Sequence, residues 1–367
     1  MSVGVAILGS TGSIGCSTLE VLARHRDRFR VVALTAHRNR ELLDAQAREW
    51  HPAFTGCVNG GGGDCLVEAA TRPDVGIVVN GIVGAAGLDA TLAALAAGKR
   101  VALANKETLV MAGELVTRAA REGGGELIPV DSEHSAVLQC VTGRRSADLA
   151  RLILTASGGP FRTWSPERLA GATVAQALNH PTWKMGKKIT VDSATLANKA
   201  LEVIEAHFLF GLGYDAVDVV VHPQSIVHAF VEFVDGSVLA QVGFPTMELP
   251  ILYALTYPER LPDAGARRFD PVQAGELTFE PVNPALFPTY ALGREAGRAG
   301  GTAPAAFNAA NEVAVELFLD DRIPFGRIAT VIERTLGAHR GGPADSLAAV
   351  RAADRDARAR AREAACS

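Results

Sequence analysis

The feature that most constrains the fold is a glycine-rich turn near the start of the chain. An apolar run over residues 3–8 ends at Gly9, and segment 9–15 (GSTGSIG) leads directly into a predicted helix. Glycines at such a turn let backbone N–H groups approach a pyrophosphate, and the helix N-terminus adds positive potential. The GxxGxxG spacing is a variant of the usual fingerprint, and a plain tight turn is the alternative. The position between strand and helix favours dinucleotide binding.

Alternating strands and helices follow this turn over the first 150 residues. Further strands are predicted at 30–35, 75–80, 100–105 and 126–131, each followed by helix or loop. This spacing implies right-handed crossovers and an α/β fold with a doubly wound, Rossmann-like parallel sheet. The segment 56–64 is rich in glycine and is predicted to be a loop.

Beyond residue 150 the pattern predicts an α+β region and then a helical one. A strand at 151–157, a short helix in 165–178 capped by Ser165, a strong helix at about 194–210, and antiparallel strands in 217–244 with a turn at 235–236 are expected. The last thirty residues are predicted to be a solvent-exposed helix. The predicted domains are a cofactor-binding domain 1–150, a catalytic domain 151–257 with a lid at about 158–187, a linker 258–284 and a helical domain 285–367.

Bulk composition excludes several classes of partner. The net charge of −4 gives no electrostatic footprint for nucleic acid, so local positive groups must meet an anionic substrate. No apolar stretch reaches the roughly 18 residues that span a bilayer, and the first residues do not show the pattern expected of a signal peptide. Five cysteines without metal-site spacing are typical of free thiols in a reducing compartment. A cytoplasmic protein without membrane or nucleic-acid partners is predicted.

The end of the second strand favours NADP over NAD. NAD enzymes usually hold the ribose with an acidic residue about 20 residues beyond the glycine turn. Here the strand ends in segment 35–39 (TAHRN), with no acid before Glu41. Arg38 suits a 2′-phosphate.

Two carboxylates follow the strand 126–131. Asp131 and Glu133 lie where ligands gather in doubly wound folds, and both can bind a hard divalent cation. The alternative is ordinary helix chemistry, with Asp131 or Ser132 as the N-cap and Glu133 in the first turn. Both interpretations stand on the local pattern.

The helix 194–210 carries a polar face near its start. Asn198 and Glu202 are four residues apart, and Lys199 lies three before Glu202. With Ser193 and the helix N-terminus they describe a phosphate site, and Glu202 would complete a three-carboxylate metal site. A Lys199–Glu202 surface ion pair is the alternative.

Three further segments carry candidate ligand-binding groups. Ser157 and the two glycines after it offer a hydroxyl and backbone donors for phosphate, and His180 lies in a segment with the profile of an active-site lid. Trp183 is either the apolar cover of that lid or a packed side chain. Lys106 follows a strand and can meet substrate oxygens, although Asn105 beside it also suits a helix N-cap.

Taken together, these motifs resemble the 1-deoxy-D-xylulose 5-phosphate reductoisomerase family. The resemblance runs from residue 5 to about 320, and its most specific block is 180–206. The segments that carry it are GSTGSIG (9–15), IVGAAGL (82–88), LANKE (103–107), PVDSEHSA (129–136), SGGPFR (157–162), HPTWKMGKKITVDSATLANKALEVIEA (180–206), HPQSIVHA (222–229), DGSVLAQ (235–241) and FNAANEVAV (307–315).

The resemblance implies an activity and its cofactors. Members of the family rearrange 1-deoxy-D-xylulose 5-phosphate and reduce the resulting aldehyde with NADPH, giving 2-C-methyl-D-erythritol 4-phosphate, an isoprenoid precursor. It also implies a homodimer and dependence on Mg²⁺ or Mn²⁺. Three carboxylates suit these ions better than zinc.

The resemblance also assigns roles to residues of this chain. The implied metal ligands are Asp131, Glu133 and Glu202. The implied substrate-binding residues are Lys106, Ser132, Glu133, Ser157, His180, Ser193, Asn198, Lys199 and Glu202, of which Lys106, Glu133 and His180 are assigned to catalysis. The implied cofactor contacts are Thr11, Gly12, Ser13, Ile14, His37, Arg38, Asn39, Asn105, Glu107 and Gly186, with Met185 and Met247 near the nicotinamide.

Two features depart from the family pattern. His37 stands where the family usually has glycine, and segment 55–73 is shorter than usual and rich in glycine. We expect a rearranged edge of the cofactor domain and an altered affinity for NADPH. These departures motivate a specialised or inhibitor-resistant paralogue as an alternative, and a non-enzymatic NADP-binding sensor is a separate alternative.

Overall fold

The computed structural model describes residues 2–61, 63–183 and 185–366. The strands are β1 (Val3–Leu8), β2 (Phe29–Ala36), β3 (Phe54–Cys57), β4 (Ile77–Asn80), β5 (Arg100–Leu103), β6 (Glu126–Pro129), β7 (Leu149–Ala156), β8 (Val217–Val221), β9 (Val227–Phe233), β10 (Val238–Val242) and β11 (Glu280–Pro281).

The helices are α1 (Ser13–Arg24), α2 (Arg40–Trp50), α3 (Val58–Gly61), α4 (Asp64–Thr71), α5 (Leu88–Ala96), α6 (Lys106–Gly123), α7 (Ser132–Val141), α8 (Pro166–Ala170), α9 (Val174–Ala177), α10 (Lys187–Thr195), α11 (Ala197–Phe210), α12 (Glu248–Thr256), α13 (Pro271–Ala274), α14 (Pro288–Ala299), α15 (Ala303–Leu319), α16 (Arg327–Ala338) and α17 (Leu347–Cys366). Short 3-10 turns occur at Ala85–Gly87, Ser146–Asp148 and Tyr214–Ala216.

The chain forms two compact units that are not continuous in sequence. The first unit contains the residues up to Thr108 together with Leu115–Thr142 and Thr246–Arg268. The second contains Leu109–Glu114, Gly143–Pro245 and the residues from Phe269 onward. The functional domain boundaries at 150, 257 and 284 remain a prediction.

The first unit is built on a six-stranded sheet in the order β3-β2-β1-β4-β5-β6. All of its strand pairs are parallel. Its central strands are apolar on both faces, as expected where helices cover a parallel sheet on both sides, and the described helices connect successive strands. The predicted doubly wound sheet is therefore confirmed. The strand order reverses between β1 and β4, which is where such folds open a ligand crevice.

The core of the first unit includes a helix from late in the chain. Ile251, Leu252 and Leu255 of α12 are buried in one cluster with Leu22 of α1 and Val79 of β4. Nineteen fully or nearly fully buried apolar residues form this cluster, so it anchors the sheet that carries the glycine turn.

One expectation for the first unit was wrong. The segment 56–64 is not an unstructured loop, because β3 ends at Cys57 and α3 follows at Val58–Gly61; position 62 lies outside the described residues. The backbone N–H of Asn59 donates to the carbonyl of His37, which ties this segment to the end of β2. Glycines carry no side chain to show a periodicity, so the pattern concealed this helical turn.

The second unit contains a mixed five-stranded sheet in the order β10-β9-β7-β8-β11. Strand β7 pairs parallel with β8 and antiparallel with β9, and β9 forms the predicted hairpin with β10. Gly236 has φ +82°, a conformation that favours glycine, at the predicted turn. The expected antiparallel strands are confirmed except for the β7–β8 pair.

The strong helix expected at about 194–210 is divided into α10 and α11. Leu196 separates them with a left-handed backbone, φ +56°. A leucine rarely adopts this conformation, which costs roughly 1–3 kcal/mol and persists only where the surroundings enforce it. Leu196 is 2% exposed, so packing holds the bend.

The remaining elements refine the predicted linker and helical region. Within 258–284 the chain forms α13 and β11, and β11 extends the second sheet by pairing with β8. From residue 288 the described chain is mostly helical, as predicted, but α17 buries Val350, Ala357 and Ala361 and is not wholly exposed. Among the described residues, no helix combines the length and apolar character needed to cross a membrane.

Candidate active site

The glycine turn between β1 and α1 has the geometry of an anion site. Gly9 has φ +82°, and a Cβ on Gly15 would lie 2.4 Å from the carbonyl oxygen of Gly9. Over the described residues, α1 has neither a side-chain N-cap nor an acidic residue in its first turn. Its first N–H groups are therefore available to a phosphate, together with the dipole of the helix.

The predicted cofactor contacts at the end of β2 are exposed to solvent. His37, Arg38 and Asn39 are all exposed, and Asn39 caps α2 by accepting from the N–H of Leu42 at 3.1 Å. Over the described part of the chain, the side chains of His37 and Arg38 form no hydrogen bond or ion pair. Arg38 thus retains its capacity for an external anion.

Asn105 has a structural role that the sequence left open. Its Oδ1 accepts from the N–H of Thr108 as the N-cap of α6, and its Nδ2 donates to the carbonyls of Ile82 and Gly84 at 2.8 and 2.9 Å. The N-cap interpretation is therefore confirmed. Glu107 also accepts from Asn105 Nδ2, at 3.0 Å, so this asparagine holds the loop after β4 against α6.

The carboxyl ends of β5 and β6 bring a lysine to the acidic cluster. Lys106 is 4% exposed, and its Nζ donates to Asp131 Oδ2. Asp131 occupies the N-cap position of α7 without making a side-chain cap, so its carboxylate is directed to other partners. Ser132 Oγ donates to Glu133 Oε2 at 2.6 Å.

His134 is a residue of this cluster that sequence reasoning missed. It is fully buried, and its Nδ1 lies 3.5 Å from Asp131 Oδ2. The i, i+3 spacing of the acid and the histidine in PVDSEHSA is the signal that could have identified it. The cluster therefore combines a cation, two carboxylates, a hydroxyl and an imidazole in the first unit.

In the second unit, His180 bridges two serine hydroxyls. Its Nε2 lies 3.0 Å from Ser157 Oγ and 3.1 Å from Ser193 Oγ. Gly159 makes this arrangement possible, since a Cβ there would lie 2.6 Å from the carbonyl oxygen of Ser193. A cavity of about 360 Å³ opens beside Ser157 and is lined also by Phe161, Gln176, Asn179 and Pro181.

The protonation state of His180 follows from its other ring nitrogen. Nδ1 accepts from the backbone N–H groups of Thr182 and Trp183 at 3.1 and 2.9 Å. A proton on Nδ1 would oppose both donors, so the ring carries its hydrogen on Nε2 and donates it to one of the serines. Burial lowers the pKa of His180 to about 4, and the imidazole is neutral at pH 7. Lys184, in the same predicted lid, lies outside the described residues.

The bend between α10 and α11 brings together the residues that the sequence predicts for a phosphate site. Over the described residues, α11 has no acidic residue in its first turn, its N-cap residue Leu196 makes no side-chain cap, and the N–H of Ala197 donates to Thr195 Oγ1 at 3.3 Å. Ser193 precedes the bend, while Asn198 and Lys199 lie in the first turn after it. Gly186, a predicted cofactor contact, occupies the N-cap position of α10. It therefore lies at the opposite end of α10 from Ser193 and the bend.

Glu202 lies one turn into α11 and is almost completely buried. Its Oε1 accepts from Asn198 Nδ2 at 2.6 Å, and its Oε2 accepts from Lys199 Nζ at 2.5 Å. The Lys199–Glu202 pair is thus present but is not a surface pair, because the exposed fractions of the two side chains are 4% and 1%. A buried charge at this position needs such partners.

Family models match most of the chain. A 1-deoxy-D-xylulose 5-phosphate reductoisomerase model matches residues 5–61 and 55–113, and the C-terminal domain models of that enzyme match residues 127–210 and 242–360. The resemblance seen in the motifs is therefore matched by independent models along the chain.

Individual relatives agree with these models. The chain is 51% identical to 1-deoxy-D-xylulose 5-phosphate reductoisomerase of Ralstonia nicotianae, covering 97% of this chain and 96% of the relative. The structure of the enzyme of Zymomonas mobilis in complex with NADPH is 41% identical, with a TM-score of 0.92 and full coverage of both chains. A reductoisomerase in complex with NADPH, fosmidomycin and magnesium is 40% identical, with a TM-score of 0.93 and coverage of 99% and 98%.

Proposed function

The chain belongs to the 1-deoxy-D-xylulose 5-phosphate reductoisomerase family, and we propose that it converts 1-deoxy-D-xylulose 5-phosphate to 2-C-methyl-D-erythritol 4-phosphate. It is an NADP-dependent oxidoreductase that uses NADPH and a divalent cation, since related structures contain NADPH and magnesium. The reaction belongs to isoprenoid precursor biosynthesis.

One observation supports this function above the others. The second unit holds the buried Glu202 and Lys199 and the half-buried Asn198 hydrogen-bonded together, on the first turns of a helix that has no acidic residue in its first turn. A buried carboxylate beside a cationic, amide-bearing helix start suits a substrate that carries a phosphate at one end and metal-binding oxygens at the other.

The donor sets fit both cofactors. We propose that Asp131 and Glu133 of the first unit and Glu202 of the second hold Mg²⁺ or Mn²⁺, because hard oxygen ligands suit these ions. When bound, the ion supplies Lewis-acid polarisation of the substrate oxygens, and NADPH supplies a hydride. The uncapped start of α1 fits the pyrophosphate of NADPH, and Arg38 fits its 2′-phosphate.

The remaining contacts proposed for NADPH surround these two groups. They are Thr11, Gly12, Ser13 and Ile14 at the turn, His37 and Asn39 beside Arg38, and Asn105, Glu107 and Gly186. Asn105 caps α6 through Oδ1 and holds the loop after β4 through Nδ2. We therefore propose that Asn105 also orients that loop toward the cofactor.

We propose that the phosphate of the substrate is bound by Ser157, Ser193, Asn198 and Lys199. His180 keeps the two serine hydroxyls in fixed positions and, being neutral, adds no charge that a bound phosphate would have to compensate. Binding of this remote group orients the carbon atoms that react. Lys106 and Ser132 then contact substrate oxygens near Asp131 and Glu133, and closure of the predicted lid at about 158–187 excludes water.

The function is tested by NADPH oxidation with purified protein. Oxidation is expected only when 1-deoxy-D-xylulose 5-phosphate and Mg²⁺ or Mn²⁺ are both present, and 2-C-methyl-D-erythritol 4-phosphate is expected as the product. Reactions without sugar phosphate or with excess chelator serve as controls. If NADPH is bound but not consumed under the complete conditions, the proposed function is wrong.

We propose that the protein is a homodimer that pairs through β10. This strand is at the edge of the second sheet, and Val238 and Leu239 are 50% and 38% exposed. An apolar edge strand invites pairing with a second copy. Light scattering should give a dimer for the wild type and a monomer for Leu239→Lys, whereas Val272→Lys, at an exposed position of α13, should remain dimeric. A monomeric wild type would contradict this proposal.

The proposed location is the cytoplasm. All five cysteines are free thiols in the structure, as expected of a protein that works in a reducing compartment.

A further inference from the structure

The structure assigns a positioning role to a buried polar cluster beside the phosphate site. We infer that Asp192, Lys188 and Asn311, here called the α10 clamp, fix the helix that presents Ser193 to the substrate. This inference rests on the proposed function, and it concerns residues that neither the motifs nor the family resemblance assigned to the site.

The α10 clamp joins α10 to α15. Asn311 Nδ2 donates to Asp192 Oδ1 at 2.8 Å, and Lys188 Nζ lies 2.8 Å from Asp192 Oδ2. Asn311 is fully buried and Asp192 is 1% exposed. Lys188 is one helical turn before Asp192, so both oxygens of the carboxylate contact a named donor.

The position of Asp192 links the clamp to the site. Asp192 and Ser193 are consecutive, and they face different partners: Asp192 contacts α15, whereas Ser193 Oγ contacts His180. Three residues later the chain takes the left-handed conformation at Leu196 and begins α11. A rotation or shift of α10 would therefore displace Ser193 and the start of α11 together.

A purely structural role does not explain the chemistry of this cluster. Replacing a buried polar pair by apolar side chains of similar volume is often neutral or stabilising. A carboxylate that accepts a hydrogen bond from Asn311 and pairs with the Lys188 cation instead defines one orientation of the helix, because the hydrogen bond is directional and a buried charge requires its partners. Orientation is what a phosphate site at the end of α10 needs.

The test compares two asparagines of α15. Asn311→Leu removes the donor to Asp192, and Asn308→Leu is the matched control. Asn308 lies one turn earlier, is also fully buried, and donates at 2.9 Å to Glu312, which pairs with Arg358 of α17. We expect Asn311→Leu to raise KM for the sugar phosphate about tenfold and change kcat less than about threefold, as expected for loss of uniform binding. Asn308→Leu should leave both constants within about twofold of wild type.

A second readout does not depend on turnover. Amide hydrogen exchange over 187–195 should be faster in Asn311→Leu than in Asn308→Leu, while KM or Kd for NADPH stays unchanged in both. The exchanged pair Asp192→Asn with Asn311→Asp restores an amide–carboxylate hydrogen bond but leaves Lys188 without its carboxylate at position 192, so it should recover part of the wild-type KM for the sugar phosphate. If Asn311→Leu does not fold, Asn311→Ser provides the same comparison.

The outcomes separate this inference from the proposed function. If the wild type binds NADPH but does not turn over the sugar phosphate, the proposed function is contradicted. Amide hydrogen exchange over 187–195 then still tests the α10 clamp. If the wild type is active but Asn311→Leu and Asn308→Leu have equal KM for the sugar phosphate and equal amide hydrogen exchange, the clamp alone is contradicted. An exchanged pair as impaired as Asn311→Leu also overturns it.

Discussion

The end of β2 is proposed to bind the cofactor and the α10–α11 segment the substrate, and the two regions are built in opposite ways. At the end of β2, His37 and Arg38 are exposed, and their side chains form no hydrogen bond within the described residues. Along α10–α11, by contrast, Ser193, Lys199 and Glu202 are buried and already hydrogen-bonded to other side chains. The proposed substrate groups are thus held by the chain itself, whereas His37 and Arg38 are oriented only when their ligand arrives.

This difference has an energetic meaning. Side chains that are fixed before binding lose little conformational entropy on binding, and fixed geometry accelerates reactions between bound groups. A change along α10–α11 therefore disturbs several residues and the reaction itself. A change at the end of β2 removes one contact with the cofactor. The predictions below test this contrast.

The largest effect is expected from Glu202→Gln. This change removes a proposed metal ligand and the charge partner of the buried Lys199, and we expect kcat to fall by on the order of a thousandfold or more. Initial rates at saturating NADPH and metal measure it. Binding of NADPH, measured by fluorescence, should be unchanged and shows that the variant is folded. Turnover near the wild-type rate would make the assignment of Glu202 wrong.

A smaller effect is expected from Arg38→Ala. Loss of a charge-assisted contact with the 2′-phosphate should raise KM for NADPH about tenfold and reduce the preference for NADPH over NADH. Arg40→Ala is the control, because Arg40 is an exposed arginine at the start of α2. If the preference for NADPH were equal in both variants, Arg38 would not be the 2′-phosphate ligand.

The smallest effect concerns pH. The pKa of His180 is about 4 in the folded protein and about 6.5 when unfolded, so the unfolded chain binds the extra proton first as pH falls. The neutral histidine makes its full contribution to the free energy of unfolding above about pH 6.5, and this contribution is lost as the pH falls from 6.5 to 4. NMR titration of the ring should show no protonation between about pH 6 and 8. A midpoint near 6.5 in the folded protein would contradict the hydrogen-bond pattern of Nδ1.

Much of the first unit was predictable because its elements carry strong local signals. The apolar strands β1 and β4, the glycine turn and the parallel order follow from periodicity and from the positions of glycines. The turn at Gly236 was predictable for the same reason. The helical turn at Val58–Gly61 was not, because its glycines leave no side-chain pattern and its anchor is a backbone contact with His37.

The candidate site was only partly predictable. The sequence placed Asn198, Lys199 and Glu202 on one helix face, but burial of the ion pair depends on packing from distant segments. The tautomer of His180 depends on two backbone N–H groups, and the α10 clamp joins residues separated by 119 positions. The spacing of residues along the chain cannot predict such contacts, since they arise from the tertiary fold.

The most direct test of this account measures both Michaelis constants in two variants, Ser193→Ala and Arg38→Ala. We expect Ser193→Ala to raise KM for 1-deoxy-D-xylulose 5-phosphate about tenfold and to leave KM for NADPH within about twofold of wild type. Arg38→Ala should do the reverse. If both variants raised the same constant, or if Ser193→Ala changed only KM for NADPH, the division of roles between α10–α11 and the end of β2 would be contradicted.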